Sequence, residues 1–297
     1  MNSFLKVPFF ALFIIFSGAV SVTAEEELNA KPAIWLVEDD TSKVYFLGSF
    51  HLLPYDVKWY GGDLKAIVDK AEEVVFEVHM TPNRHRQAQR LTLQNGMLSE
   101  GDSLKNYLTE EEMDFLYKQA RAYGIPTASI INFKPWFASV ALSISAITRE
   151  GWNPESGVDK FIEEIVASRG VKISALETLE EQMATLYGYP LETQAEMLRD
   201  TLDQLKEIKQ VTQEMIDSWM SGNENLMIET LINPMKQQRD VYNKLLVQRN
   251  DNWIPVIEGL LEKDQNTLVV AGAAHFVGED GVIKLLADKG YMIKRVQ

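Results

Sequence analysis

The feature that most restricts what this 297-residue chain can fold into is a unit that occurs twice, once near each end. Val44-Tyr-Phe-Leu-Gly48-Ser-Phe-His51 is followed by a helical stretch and then by Val74-Val-Phe-Glu77-Val78. Thr267-Leu-Val-Val-Ala-Gly272-Ala-Ala-His275 is followed by helical spacing over 281–289 and then by Tyr291-Met-Ile-Lys-Arg-Val296. Each unit reads as strand, Gly-x-x-His, helix, strand. From 17 glycines and four histidines, chance would supply about 0.2 Gly-x-x-His matches, so two at the ends of apolar strands mark a duplicated element. A crossover helix predicts that the two strands of each unit run parallel with a right-handed connection. The glycine lets the backbone turn without a Cβ clash, and the histidine leaves the carboxyl end of its strand.

That placement puts ligand-type side chains on one rim. His51 and His275 end their strands, and Glu77 ends a strand parallel to that of His51. His79, two residues beyond Glu77, shares its face if the strand continues. One histidine at a strand end usually serves structure; the repetition is what turns His51 and His275 into candidates. A carboxylate in an apolar strand is costly unless paired, which singles out Glu77 for a functional or salt-bridged role. Two imidazoles and a carboxylate suit a divalent metal with open positions for water, and such a metal can promote amide or ester hydrolysis without a protein nucleophile. His85, in Asn83-Arg84-His85-Arg86, reads as part of a solvated helix face or loop.

Composition removes the competing chemistries. With no cysteine there is no thiolate nucleophile, disulfide framework or Cys-based metal site. Gly-x-Ser-x-Gly, His-Glu-x-x-His, Gly-x-Gly-x-x-Gly and the P-loop pattern are all absent. A formal charge of -14 argues against a nucleic-acid partner, while 46% hydrophobic residues allow a sizeable core. Residues 1–24 read as a signal peptide: Lys6 is the basic end, Val7 to Val20 is apolar, and Val22-Thr23-Ala24 offers a cleavage site. The apolar run falls short of the roughly 20 residues of a spanning helix, and an uncleaved anchor is the alternative. Cleavage removes Lys6 and brings the charge to -15. The expectation is an exported chain, periplasmic or secreted, with no stable membrane span after cleavage.

Along residues 25–297 a single α/β domain is expected. Ala33–Glu38 and Lys43–Leu47 read as a hairpin, Leu64–Ala71 as a helix, Glu73–Glu77 and Val171–Ala175 as strands. A large helical insertion is expected over about 84–264. Within it, Thr109-Glu110-Glu111-Glu112 has the form of a capping box, with Gly124 as the stop of that helix. Asp159–Arg169 reads as a helix ending at Gly170. Leu198, Leu202, Leu205, Ile208, Val211, Met215 and Trp219 predict one long amphipathic helix, and Asn233-Pro234 predicts a helix start.

At these residues the chain resembles the TraB/GumN family, which is related to the Tiki metalloproteases and more remotely to erythromycin esterases and a haem-binding lipoprotein group. The resemblance runs from Ile34-Trp35 to Val296. It rests on Leu47-Gly-Ser-Phe-His51, Phe76-Glu77, Gly157-Val-Asp159, Leu176-Glu-Thr178 with Glu181-Gln182, Arg249-Asn250 with Trp253, and Gly272-Ala-Ala-His275-Phe-Val-Gly278. It implies a divalent metal, often manganese or cobalt, held by His51, Glu77 and His275, with Arg249 nearby; zinc is a further option for the ion, and His79 is a further ligand candidate by its place beside Glu77 and not by the resemblance. Ser49 departs from the usual threonine, keeping the hydroxyl and losing the methyl. Near a metal, Arg249 would stabilise an oxyanion or hold a substrate carboxylate; otherwise it is a structural ion-pair residue.

The expectation is therefore an α/β chain with a mixed central sheet from two strand–GxxH–helix–strand units and a helical insertion. It would act as an exported metal-dependent hydrolase, a metalloprotease in the most specific form, on a peptide or protein substrate. Glu77 would serve as ligand or base and Arg249 would bind substrate. The rival is a non-catalytic protein that binds haem, metal or a peptide in the same cleft. An exopolysaccharide-linked accessory role is suggested by the family name alone.

Overall fold

The computed structural model describes residues 28–38 and 41–297. The expected signal segment lies outside them. None of the described helices is long and apolar enough to cross a membrane.

The described residues form two compact units. The first holds residues 28–79, Trp152–Thr178 and Glu214–Gln297. Its strands are β1 (Ile34–Glu38), β2 (Lys43–Ser49), β3 (Leu53–Pro54), β4 (Glu73–Phe76), β5 (Trp152–Asn153), β6 (Lys172–Ala175), β7 (Asn266–Gly272) and β8 (Ile293–Arg295). Six of them make one sheet in the order β6-β4-β7-β2-β1-β8, while β3 and β5 pair separately. β1 and β2 form the expected antiparallel hairpin, with Ile34 opposite Leu47 and Glu38 opposite Lys43. β7 runs parallel to both β2 and β4, and β6 runs parallel to β4. β8 pairs antiparallel to β1, which makes β1 the lone reversed strand of a mixed sheet.

The strands of each duplicated unit are parallel but not neighbours. The second unit's β7 lies between β2 and β4 of the first, and β2 and β1 lie between β7 and β8. The two units interleave. β7 is buried from Thr267 to Ala271, as a central parallel strand between two partners requires. The helix Gly62–Lys70 links β2 to β4 and buries Leu64, Ile67 and Val68, so its apolar spacing gives its inward face. Phe46, Leu47, Val269, Val270, Phe276 and Trp219 fill the core.

At the amino-terminal end of β4, buried Glu73 takes a hydrogen bond from Ser174 Oγ at 2.6 Å and from Gln265 Nε2 at 2.8 Å. Lys172 and Lys263 add ammonium contacts at 3.1 and 3.0 Å. Burial opposes the charge, but these donors outweigh it and hold the Glu73 carboxyl down at about 2. A carboxylate whose folded value is depressed stabilises the fold above its ordinary value and loses that contribution as pH falls through the folded one. Stability on the order of 3 kcal/mol is therefore expected to disappear between pH about 4.5 and about 2. Urea titrations across that range should show a flatter pH dependence in Glu73→Gln than in the wild type; equal slopes would remove the assignment.

The second unit, Met80–Gly151 with Leu179–Gln213, is helical. Its longer helices are Pro82–Gly96, Glu110–Ala122, Pro135–Arg149, Leu179–Tyr187 and Leu191–Gln204. The capping box forms as expected, with the Thr109 side chain and Glu112 bonded to each other's backbone. Gly124 follows that helix in the left-handed region at φ +75°. Trp136 is fully buried and donates its indole N–H to the Asn95 carbonyl at 3.0 Å. His85 lies on the helix Pro82–Gly96, half-buried.

Two expectations need correction. The single long helix is two, Leu191–Gln204 and Ile208–Ser221. Between them Lys206 and Glu207 bond back three residues, to Asp203 and Gln204. Leu205 and Ile208 both stay buried, so the apolar spacing runs on through the tightened turn and hides it. Asn233-Pro234 does not start a helix: the helical run begins at Glu224 and passes through a π turn at Ile228–Ile232 into Asn233–Met235. A proline inside a helix removes a donor and pushes away the carbonyl four residues back, and the wide turn accommodates it. Asn223 is the capping residue, its Oδ1 accepting from the N–H groups of Asn225 and Leu226.

Candidate active site

β2, β4, β6 and β7 are parallel, so their carboxyl ends share one rim, where open α/β sheets place their sites. His51 follows β2, Glu77 follows β4, Glu177 follows β6 and His275 lies in a short turn after β7. The rim continues in backbone pairing past β4: Leu176 N–H donates to Phe76 O and Glu177 N–H to Glu77 O. The first turn of the helix Val158–Ser168 supplies Asp159, and the helix Gln248–Leu261 supplies Arg249, Asn250 and Trp253.

Neither motif glycine has a positive φ; what marks both is the close approach of neighbouring atoms. A Cβ on Gly48 would lie 3.0 Å from Ala273 Cα, and one on Gly272 would lie 3.2 Å from Glu77 Oε1. Gly272 donates its N–H to that same oxygen at 2.7 Å.

Arg249 sits at the centre. Its Nη2 donates to Glu77 Oε2 and to Glu177 Oε1, each at 2.6 Å. Its Nε lies 3.1 and 3.2 Å from the two Glu177 oxygens. Its Nη1 reaches Leu245 O at 3.1 Å and His275 Nε2 at 2.9 Å, and the guanidinium carbon stands 4.8 Å over the Trp253 ring. Burial works against the charge of Glu77, yet the guanidinium above all, with the charged His51 ring and the Gly272 N–H, holds its carboxyl far below the usual range. Burial pushes the Glu177 carboxyl up, against the pull of the same arginine.

A guanidinium only donates, so His275 Nε2 carries its lone pair and Nδ1 its proton. The Nδ1–H is directed at Asn250 Oδ1, 2.6 Å away, and the Asn250 amide is oriented in turn by donating to Asp280 O at 2.7 Å. Burial and the adjacent arginine lower the His275 ring to about 3, so it is neutral at working pH.

His51 is the opposite case. Its Nδ1 lies 2.8 Å from Asp159 Oδ2, and Asp159 Oδ1 accepts from Ser49 Oγ at 2.8 Å. Burial favours the neutral ring, but Asp159 and then Glu77 outweigh it and raise the value to about 9. The His51 side chain is 30% exposed, against 5–10% for Glu77, Arg249 and His275, so it is the member of the cluster most open to solvent.

His51, Glu77, His275 and Arg249 thus gather on one rim. His79 does not continue a strand, since β4 stops at Phe76; its Nε2 lies 3.4 Å from Glu163. Asp159, Glu177, Asn250 and Trp253 appeared in the sequence as motif residues without a role. The model of the TraB/PrgY/gumN family matches residues 33–295. The chain belongs to this family. No curated protein and no solved structure matches it.

A divalent metal, the cofactor expected of a TraB/PrgY/gumN chain by its resemblance to metalloproteases, needs free electron pairs that converge. The donor types suit one: an ionised carboxylate and a neutral imidazole. Their arrangement does not, because the single lone pair of His275 Nε2 is directed at Arg249 and the same guanidinium stands 2.6 Å from Glu77 Oε2, where an ion would have to sit. Among the described residues no three His, Asp or Glu side chains are disposed to hold a metal ion.

Proposed function

We propose that the chain is an exported hydrolase that cleaves an acyl bond, a peptide bond in the most specific form, at the rim around His51. The Ser49–Asp159–His51 chain of contacts carries this reading. It holds a charged imidazolium in one orientation at the most solvent-open point of a buried polar cluster. A positioned imidazolium can donate a proton to the leaving nitrogen as the C–N bond breaks. Water supplies the hydroxyl for the carbonyl carbon, and its remaining proton restores His51. Glu77, held ionised, balances the positive charge and can orient that water, although so depressed a carboxylate is a weak base. Arg249 is buried and engaged on every side, so it positions Glu77 and His275. No step above is routed through a divalent metal, which the rim as arranged does not accommodate.

The test is cleavage of a peptide library by the full chain, with and without added manganese, cobalt or zinc. His51→Ala is expected to lower kcat about a hundred- to ten-thousand-fold. Asp159→Asn should move the alkaline limb of the pH profile down from about 9, because it removes the charge that favours the imidazolium. Undiminished cleavage by His51→Ala, or no cleavage by the wild type under any condition, would sink the reading. Stoichiometric peptide uptake without turnover would favour a binding role.

A further inference from the structure

A guanidinium has five N–H donors, and all those of Arg249 are taken. Nε faces both Glu177 oxygens; Nη1 serves Leu245 O and His275 Nε2; Nη2 serves Glu77 Oε2 and Glu177 Oε1. Three of these acceptors, Glu77 Oε2, Glu177 Oε1 and His275 Nε2, are also the donor types that bind manganese, cobalt or zinc. Each stands 2.6–2.9 Å from a terminal guanidinium nitrogen. The single lone pair of His275 Nε2 cannot serve a guanidinium and a metal ion at once; each carboxylate oxygen keeps a second pair, but two cations at such separations repel in a buried setting.

We propose that Arg249 is the resident cation of this rim and excludes a divalent metal from it, so that the guanidinium must leave before Glu77, Glu177 and His275 can bind an ion. The three acceptors surround a flat, extended group rather than a point, so an ion must also draw them together. The guanidinium is anchored at its inner edge by Leu245 O and Glu177 and stacked on Trp253, which makes its departure costly. The ligand set is the set of groups that Arg249 touches, so it differs from the His51–Glu77–His275 set expected from family resemblance by including Glu177 and leaving out His51.

The decisive variant is Arg249→Met, which keeps an unbranched apolar stem and removes the charge and the donors. Full-length wild type, Arg249→Met and Arg249→Met/His275→Ala are treated with chelator, dialysed and titrated calorimetrically with manganese and with zinc. Arg249→Met is expected to take up one equivalent at least about tenfold more tightly than the wild type, and the double variant to lose that gain. Wild type binding one equivalent as tightly as Arg249→Met would overturn the proposal, as would a gain that survives His275→Ala. If Arg249→Met does not fold without metal, the unmodified protein decides. The Arg249 Nε–H resonance, followed by 15N NMR during zinc titration, should stay in place while no ion binds and shift when one is forced in. Zinc bound at one equivalent with that resonance unmoved would overturn the proposal. Metal affinity and peptide cleavage are read separately, so this inference and the hydrolytic one stand or fall independently.

Discussion

Arg249→Ala, measured by urea denaturation in the presence of chelator, is expected to lose about 3–5 kcal/mol of stability. The reason is the number of groups that depend on one side chain. Glu77 and Glu177 are both buried and share the guanidinium at 2.6 Å, so its removal leaves two carboxylates together with no counter-charge. His275 Nε2 and the Leu245 carbonyl lose their donor in the same step. Removing one partner of a buried ion pair is costly for the desolvated charge left behind, whatever the intact pair is worth. With total stabilities of about 5–15 kcal/mol, such a loss is a large share of the fold's margin. Replacing Glu177 by glutamine in the same background should recover part of it by removing one unpaired charge. A loss below about 1 kcal/mol would mean that water reaches the carboxylates, contrary to their burial.

Trp219→Ala is expected to cost about 3–5 kcal/mol, and Trp219→Phe about 1–3 kcal/mol. Trp219 is 1% exposed, its ring centroid lies 5.8 Å from that of Phe50, and its edge-on contact with Trp59 spans 6.1 Å. Its indole N–H donates to the Gly48 carbonyl at 2.8 Å, inside the first Gly-x-x-His motif. Alanine leaves a cavity and an orphaned carbonyl; phenylalanine leaves mainly the orphan. The comparison separates packing from hydrogen bonding. It also predicts that Trp219→Phe disturbs the His51 imidazole resonances while leaving those of His275 in place. Equal losses in the two variants would mean that the cavity contributes nothing.

The hairpin, the crossover helix and the capping box were legible because each is written in local spacing. The shared rim was legible as well, since parallel strands must present their carboxyl ends together. Strand order was not: nothing near β2 or β4 says that β7, about 190 residues after β4 and more than 200 after β2, separates them. The break after Gln204 escaped notice because Leu205 and Ile208 keep the apolar face in phase. At the site, histidines and a carboxylate in apolar strands were conspicuous by type. Asp159, Glu177 and Asn250 are ordinary surface-type residues by identity, and only long-range packing gives them their partners. What most alters the chemistry, the guanidinium spent on Glu77 and His275, depends on a helix whose position no local pattern encodes.

The interleaving of the two duplicated units also sets an order of assembly. β2 and β4 are not neighbours in the sheet; each is bonded to β7, whose residues come about 190 or more positions after theirs. Until Asn266–Gly272 arrives, the strands that carry His51 and Glu77 have no common partner, and neither His275 nor the Gly272 N–H is present. A chain still emerging, or one cut short before Asn266, therefore has no assembled rim. Such late closure of distant segments is slow and leaves strand edges open in the meantime. The rim waits on the strand that joins the two halves of the sheet.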